Sequence, residues 1–224
     1  MTKIERVVTD DNSITYRNLE IDECYHTKSG ALDESLRKHV IPSEILEKIK
    51  EKSEVNIADV CFGLGYNSLV AVSEILKIKS TCKINLFAFE NDMDIMNELK
   101  NIDFEDENLE KIKKIFIKLI EHKIYQDENL NLKLFFGDFR EEIKKVEDNI
   151  FDVVFFDAFS PQKMPELWSE DVFSIVYNKC AFGCVLTTYS CARMVRDNMK
   201  MAGFVVENGP TIGRRSPSTI ARKN

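Results

Sequence analysis

A short apolar segment that turns through two glycines into a helix constrains the fold of this chain most. Residues 55–61 are mainly apolar, Gly63 and Gly65 follow directly, and an amphipathic helical pattern begins at Tyr66. Glycine adopts the left-handed conformations that a tight strand-to-helix turn needs, and the helix start adds a positive dipole end. Nucleotide-type cofactors bind at such turns in open α/β sheets, although two glycines also occur in many turns that bind nothing.

Three further apolar segments each end in an acidic residue. These residues are Glu90, Asp138 and Asp157. A single acid at the end of a strand is commonly a helix cap or a turn residue. The carboxyl ends of successive parallel strands, however, share one edge of a sheet, where the ligands of open α/β sheets bind. We therefore expect the three acids to lie near the glycine turn.

The order of the elements predicts an α/β domain of Rossmann-like type with a mostly parallel sheet. Helical patterns cover about residues 66–78, 92–100 and 107–122, and extended segments at 204–207 and 218–221 close the chain. A closing hairpin places an antiparallel C-terminal strand in the sheet. That ending is typical of class I methyltransferases that use S-adenosylmethionine (SAM).

The N-terminal region predicts a separate small unit. Residues 1–40 contain short extended segments around Asp-Asp-Asn-Ser turn chemistry, which indicates a β-rich appendage. A helix is expected from Pro42 to Lys50. Residues 41–224 would then form the SAM-binding methyltransferase domain.

Charge and composition limit the possible partners. The net charge of −7 argues against a general nucleic-acid binder, but residues 191–224 carry +5 and the remainder −12. Such a basic segment is either a solvated face or a local phosphate-binding patch. The six cysteines form no Cys-x-x-Cys and no cluster with histidine, so we expect reduced thiols and no metal. Without a membrane-length apolar segment or a secretory signal, a cytoplasmic protein is expected.

Several motifs resemble one family of tRNA-modifying methyltransferases. The segments that carry the resemblance are Gly63-Leu-Gly-Tyr-Asn67, Phe156-Asp-Ala-Phe-Ser-Pro-Gln-Lys-Met-Pro-Glu-Leu-Trp168, the Gly-Arg-Arg-Ser-Pro-Ser segment from residue 213, and Glu23-Cys-Tyr-His-Thr-Lys-Ser-Gly-Ala-Leu-Asp-Glu34. They are similar to the methyltransferase half of the bifunctional enzyme MnmC and to its stand-alone form, MnmD. The block from 156 to 168 is the most specific, because the fold does not require its Pro, Lys and Trp residues. One departure is Cys61, where the family usually has a glycine.

The resemblance implies a particular reaction. It would be SAM-dependent N-methylation of 5-aminomethyl-(2-thio)uridine at the wobble position of tRNA, giving 5-methylaminomethyl-(2-thio)uridine. The partner would be the tRNA anticodon loop. The family's flavin-dependent oxidoreductase half has no counterpart in this sequence, so we expect a separate enzyme to supply the aminomethyl substrate.

Cofactor roles follow from the motif positions. Gly63 and Gly65 would approach the methionine part of SAM, and Asp59 would hold its ammonium group, directly or through water. Glu90 would accept from the ribose hydroxyls. The remaining cofactor-binding predictions are Asp138 for the adenine amino group, Tyr25 closing over the ligand, and Asn67 in the same loop.

Asp157 is the predicted catalytic residue. It would accept a hydrogen bond from the substrate amine and orient the nitrogen lone pair towards the methyl group. The alternative is a turn residue before Pro161. Further substrate-binding predictions are His26, Lys163, Trp168, Arg214 and Arg215. Trp168 is equally explained as an apolar anchor of its helix, and His26 as a hydrogen-bonding turn residue.

Two other function classes remain open at this point. An aminopropyltransferase of the polyamine-synthase type shares the fold, the acid after the second strand and an aspartate before a proline. The basic C-terminal segment argues against its cationic substrate. A SAM-binding or RNA-binding module without turnover is the second alternative, against which Asp157 beside an intact glycine turn argues weakly.

Overall fold

The computed structural model describes residues 2–212 and 216–224, in which one eight-stranded mixed sheet forms the centre. Its strand order is β10-β11-β9-β8-β4-β5-β7-β6. The strands are β4 (Glu54–Val60), β5 (Lys83–Glu90), β6 (Ile124–Gln126), β7 (Leu130–Phe136), β8 (Phe151–Phe156), β9 (Cys180–Thr188), β10 (Val205–Asn208) and β11 (Thr219–Arg222).

The register confirms the predicted fold class. Strand β4 pairs in parallel with β5 on one side and with β8 on the other. In turn, β5 pairs in parallel with β7, and β8 pairs in parallel with β9. Strand β11 lies between β9 and β10 and runs antiparallel to both. The closing hairpin thus inserts its last strand into the sheet, as predicted. A short edge strand, β6, was not predicted and pairs antiparallel with β7.

Alternating side chains of the central strands build a core on each face of the sheet. In β4, Val55 and Ile57 pack into one apolar cluster, whereas Ala58 and Val60 pack into the other. Burial on both faces explains why the central strands appear in the sequence as nearly continuous apolar segments.

Helices cover these two faces. They are α1 (Ala31–Glu34), α2 (Ile45–Glu51), α3 (Tyr66–Ile78), α4 (Met93–Asn97), α5 (Glu107–His122), α6 (Phe139–Glu142), α7 (Glu170–Lys179) and α8 (Arg193–Met201). Polar side chains fix several starts, since Asp92, Asp106 and Ser169 accept from backbone N–H groups in the first turns of α4, α5 and α7. Within the described residues, no helix is long and apolar enough to cross a membrane.

The N-terminal region is only partly as predicted. Strands β1 (Ile4–Val8), β2 (Ile14–Asn18) and β3 (Glu23–Cys24) form an antiparallel sheet. Residues 31–40, however, are helical, because α1 continues into a π-helix, Ser35–Val40. Lys38 is buried there and pairs with Glu34 one turn earlier. Sequence patterns undervalue such a helix because a lysine ordinarily marks an exposed position.

The small sheet lies against the start of α3. Tyr16 of β2 shares an apolar cluster with Leu64 and Tyr66, which flank Gly65. The Tyr66 hydroxyl also donates to the Ile14 carbonyl oxygen at 2.6 Å. These contacts place β1–β3 over the carboxyl edge of the central sheet.

Candidate active site

The glycine turn after β4 has the strained geometry that its sequence indicates. Cys61, Gly63 and Gly65 all have positive φ angles, of 63°, 55° and 77°. A Cβ atom on Gly65 would lie 2.4 Å from the Phe62 ring, so only glycine fits there. Cys61 adopts the left-handed conformation with a side chain, at a cost of order 1–3 kcal/mol. The turn therefore forms despite the departure from glycine at residue 61.

Glu90 fastens the turn to the next strand. Its Oε2 accepts from the Gly63 N–H at 2.7 Å, and its Oε1 accepts from the N–H groups of Asn91 and Asp92 at 2.7 and 2.9 Å. Burial raises the pKa of this carboxyl, and the backbone donors oppose that shift. Glu90 thus supports the turn as well as lining the adjoining cavities.

Two cavities of about 460 Å³ each adjoin at this turn. They share Cys61, Glu90, Asn91 and Met164. The first, cavity A, also contains Tyr25, Asp92, Asp157 and Phe159, and the second, cavity B, contains Asp138 and Arg140. The Tyr25 ring covers the turn, since a Cβ on Gly63 would lie 3.4 Å from its Cδ1. Together the two cavities form a bent cleft around Glu90.

Asp59 lies fully buried beneath the turn. Its Oδ2 accepts from the Ser68 hydroxyl at 2.5 Å, whereas Oδ1 is buried without a hydrogen-bond partner among the described residues. Burial, with smaller contributions from Asp157 and Glu90, raises its pKa to about 8. An orphaned acidic oxygen beneath the turn and the three carboxylates that line cavity A, Glu90, Asp92 and Asp157, suit a ligand that carries positive charge.

Asp157 follows β8 and faces cavity A. Its Oδ2 accepts from the Asn67 side-chain amide at 2.9 Å. His39 Nε2 lies 3.7 Å from the same oxygen. Burial lowers the pKa of His39, so the ring is neutral at neutral pH and the contact is no ion pair. Asp157 is thus held from one side by α3 and bordered on another by the π-helix.

A third cavity, cavity C, begins on the other side of Asp157. Its volume is about 860 Å³, and it shares Asp157 and Phe159 with cavity A. The other lining residues include Glu23, His26, Lys28, Glu34 and Tyr189. The carboxylate of Asp157 therefore stands on the wall between a cleft under the glycine turn and a second, larger cavity.

The loop after Asp157 is held by the N-terminal sheet. Glu23 accepts from the Ser160 N–H at 2.9 Å and also binds the Ser160 hydroxyl. The Tyr25 and Phe159 ring centroids are 4.8 Å apart. The appendage thus contributes walls to both cavity A and cavity C.

The structure corrects the substrate role predicted for Trp168. Its side chain is fully buried among Phe156, Phe173 and Tyr189, and its Nε1–H donates to the Phe159 carbonyl oxygen at 2.8 Å. A buried ring cannot stack on a base, so the alternative of an apolar anchor holds.

The other predicted substrate residues differ in their surroundings. His26 lines cavity C, and its Nδ1 lies 2.9 Å from the Thr15 hydroxyl. Lys163 is exposed and makes no ion pair within the described residues. Arg214 and Arg215 lie outside the described residues.

Two predicted cofactor residues have contacts that the sequence did not suggest. Asn67 lines neither cavity A nor cavity B and donates to Asp157 instead. Asp138 does line cavity B, but its carboxylate also caps α6 and pairs with Arg140. Residues that the sequence reasoning missed are His39, Glu23 and the buried Glu34–Lys38 pair. The resemblance at residues 23–34 pointed to Glu23 and Glu34, whereas no pattern singled out His39.

Comparison with known proteins identifies the family. A family profile described as S-adenosyl-L-methionine-dependent methyltransferase matches residues 94–224. The crystal structure of MnmC2 from Aquifex aeolicus superimposes with a TM-score of 0.90 at 35% identity, covering 99% of this chain and 71% of that one. The chain belongs to the MnmC family of SAM-dependent methyltransferases. SAM is therefore its cofactor.

Two more distant matches set the limits of this assignment. The bifunctional tRNA 5-methylaminomethyl-2-thiouridine biosynthesis protein MnmC of Leptospira borgpetersenii is 25% identical over 214 residues. The match covers 91% of this chain but only 33% of that protein. The crystal structure of spermidine synthase from Thermotoga maritima superimposes with a TM-score of 0.60, and the match covers 100% of this chain and 70% of that one. At 13% identity, this match shows a shared fold alone.

The residues present fit SAM. The molecule carries an ammonium and a sulfonium. Glu90 and Asp157 line the cleft, and the orphaned Asp59 oxygen lies buried beneath the glycine turn. Within residues 2–212 and 216–224, no group of three or more His, Cys, Asp or Glu side chains is arranged to hold a metal ion.

Proposed function

We propose that this protein transfers a methyl group from SAM to the exocyclic amine of 5-aminomethyl-(2-thio)uridine at the wobble position of tRNA, giving 5-methylaminomethyl-(2-thio)uridine. The observation that carries the proposal is the position of Asp157 between cavity A and cavity C. A group that must meet both a cofactor and a substrate belongs on such a shared wall.

The cofactor would occupy cavities A and B. Glu90, which lines both cavities, would accept from the ribose hydroxyls. Asp138 would face the adenine, and Asp59 would lie below the methionine end. Tyr25 would close over the ligand. Gly63 and Gly65 keep the turn close to it because neither has a Cβ atom.

Cavity C would receive the modified base. Glu23 and Asp157 give its lining an acidic character, with Lys28 at the same cavity, whereas Lys38 compensates the charge of Glu34. Such a lining attracts a cationic aminomethyl group more than an anionic substituent. Phe159 and Tyr189 offer ring surfaces in the same lining. A wobble base is unpaired in the free tRNA, so little energy is needed to expose it.

Bound SAM supplies an electrophilic methyl group on a sulfonium sulfur. The substrate amine is protonated at neutral pH and must lose one proton before its nitrogen attacks. Asp157 would accept a hydrogen bond from one of the two remaining N–H groups and hold the lone pair in line with the methyl carbon. It would then stabilise the positive charge that develops on nitrogen as the N–C bond forms and the C–S bond breaks. The proton lost beforehand goes to water.

The tRNA phosphates would be bound by exposed cations. Lys163 in the loop after β8 is exposed and makes no ion pair among the described residues, and Arg214 and Arg215 belong to a motif that resembles the family. Phosphate contacts of this kind position an RNA without reading its sequence. The enzyme would work in the cytoplasm, and another enzyme would produce the free amine.

The test is methyl transfer from labelled SAM to bulk tRNA from a strain that lacks this activity, followed by nucleoside analysis. We expect label in 5-methylaminomethyl-(2-thio)uridine with the wild-type protein and a loss with Asp157→Ala. Transfer of aminopropyl groups from decarboxylated SAM to putrescine would instead support the polyamine-synthase alternative. SAM binding without any transfer would support a non-catalytic module.

A further inference from the structure

Asp157 presents two unequal oxygens. Its Oδ2 accepts from Asn67 Nδ2 at 2.9 Å and lies 3.7 Å from His39 Nε2. Its Oδ1 makes no hydrogen bond with any residue in the ranges 2–212 and 216–224. A carboxylate that is fastened by one oxygen keeps the other free in a defined direction. The free oxygen is then available to one donor from outside the protein.

We infer that Asn67 is a positioning residue for methyl transfer, which sets the orientation of Asp157 and so the placement of the substrate amine. This inference rests on the proposed function. Asn67, which the sequence motif predicted as a cofactor ligand, would then act through Asp157. His39 borders the same oxygen and limits the space into which the carboxylate can rotate.

The amide orientation is determined by chemistry. An ionised carboxylate only accepts hydrogen bonds, so the Asn67 nitrogen must face Asp157. The Asn67 oxygen is then buried without a hydrogen-bond partner among the described residues. An unpaired buried acceptor costs free energy and would not be kept for stability alone. The Asp157 contact is the one described hydrogen bond of this side chain.

The hydrogen bond from Asn67 to Asp157 starts from a residue next to the glycine turn. Asn67 is the second residue of α3, which begins directly after the glycine turn. The hydrogen bond therefore joins the acceptor of the amine to the turn that approaches the methionine part of SAM. Nucleophile and methyl carbon must come within about 3–3.5 Å in line, and a displacement of about 1 Å can cost a hundredfold in rate.

His39 reaches Asp157 from a different element. It lies in the π-helix, where the Ile41 N–H bonds the Leu36 carbonyl oxygen, five residues back. Its other nitrogen, Nδ1, lies 3.2 Å from the Thr187 hydroxyl of β9. Two separate elements, α3 and the π-helix, thus border Oδ2 of Asp157, and β9 holds His39 through Thr187.

The test is a double-mutant cycle with Asn67→Leu and Asp157→Ala. Leucine has the same branching and the same number of side-chain heavy atoms as asparagine but no N–H donor. We expect Asn67→Leu to lower kcat for tRNA methylation about 10- to 100-fold. The KM for tRNA and the Kd for SAM, measured by calorimetry, should stay within about twofold. In the double variant kcat should fall no further than in Asp157→Ala alone, because residues that act as a unit are not additive.

The controls separate the possible failures. Ser73→Ala removes a different buried polar group of α3, a hydroxyl that has no hydrogen-bond partner among the described residues. This substitution should leave kcat, KM and Kd unchanged. Thermal melting of every variant identifies a loss of fold. If Asn67→Leu folds poorly, Asn67→Gln is the second variant, and its amide should recover part of kcat. Additive rate losses, or a tenfold weaker SAM affinity for Asn67→Leu, would overturn the inference. A wild-type protein that does not methylate aminomethyl-uridine tRNA would instead overturn the proposed function.

Discussion

Asp157 and Asp138 follow two parallel strands of the same sheet in the same sequence pattern, yet their surroundings differ. Asp157 lies between two cavities, with a side chain only 16% exposed, and meets Asn67 and a fully buried His39. Asp138 is 42% exposed, caps α6 and pairs with Arg140. One oxygen of the first carboxylate makes no hydrogen bond with the part of the chain that the structure describes, whereas both oxygens of the second already have local donors. A strand-end acid is thus informative only together with the groups that surround it.

The same contrast extends to the neighbouring strands. Asp59 and Glu90, on β4 and β5, are almost fully buried, and burial raises the pKa of both carboxyls. On β7, the Arg140 side chain lowers the pKa of Asp138. Asp59 and Glu90 are therefore buried without an ion-pair partner among the described residues, whereas Asp138 already pairs with Arg140. Substitutions at Asp157, Glu90, Asp59 and Asp138 test this difference.

The largest effect is expected for Asp157→Ala. Losing one preorganised polar contact in a transition state costs about 10²-fold or more in kcat. SAM affinity should remain nearly intact, since the turn and Glu90 are unchanged. Asp157→Asn keeps an acceptor without the charge and should fall between alanine and wild type. Single-turnover methylation of aminomethyl-uridine tRNA measures the rate, and calorimetry measures the affinity.

A stability control accompanies this comparison. An aspartate replaced at a turn or cap can cost about 1 kcal/mol of folding free energy. Melting curves separate that loss from a catalytic one. Wild-type rates in both variants would make Asp157 a turn residue and remove the contrast with Asp138.

Glu90→Ala should come next. It removes the acceptor for the ribose hydroxyls and also the partner of the Gly63 N–H. A hydrogen bond to a charged group contributes about 1.5–3 kcal/mol, so SAM affinity should fall roughly tenfold or more. Glu90→Gln retains the shape and one acceptor and should lose less. Equal SAM affinity for wild type and Glu90→Ala would exclude Glu90 from the cofactor site.

Much of this arrangement was predictable from the sequence, because it depends on local patterns. The glycine turn, α3 at 66–78, α5 at 107–122 and the closing hairpin all follow from apolar periodicity and turn chemistry. The sequence also predicts that the acids after the parallel strands lie at one edge of the sheet, because the carboxyl ends of parallel strands share that edge.

The remainder depends on contacts between distant residues. His39 lies near Asp157 only because the fold brings them together. The two residues are far apart in the sequence, so no sequence motif could predict this contact. The helix at 31–40 contains Lys38, whose burial is tolerable only beside Glu34. Trp168 was equally compatible with a surface role and a core role, and its direction is decided by Phe156 and Phe173.

Asp59 provides a third, smaller test that reports on charge. With a pKa of about 8, this carboxyl is mostly protonated at pH 7 in the free protein. A cationic ligand lowers the pKa, because it stabilises the ionised form, so SAM binding at pH 7 should release close to one proton from Asp59. Asp59→Asn should release about one proton fewer and bind several-fold more weakly. Calorimetry in buffers of different ionisation enthalpy counts the protons, and equal counts would place Asp59 outside the electrostatic reach of the ligand.

The smallest effect is expected for Asp138→Asn. Asparagine is as good a helix cap as aspartate and still offers an oxygen to the adenine amino group. The variant mainly loses the exposed pair with Arg140, and such pairs contribute about 0–1 kcal/mol. SAM affinity should therefore change by less than about threefold. Arg140→Ala is the matched control, since it removes the same pair and leaves the Asp138 carboxylate in place. A tenfold loss in Asp138→Asn with none in Arg140→Ala would show that the charge of Asp138 binds the cofactor as strongly as that of Glu90. The two sides of the sheet edge would then be equivalent in function despite their different exposure.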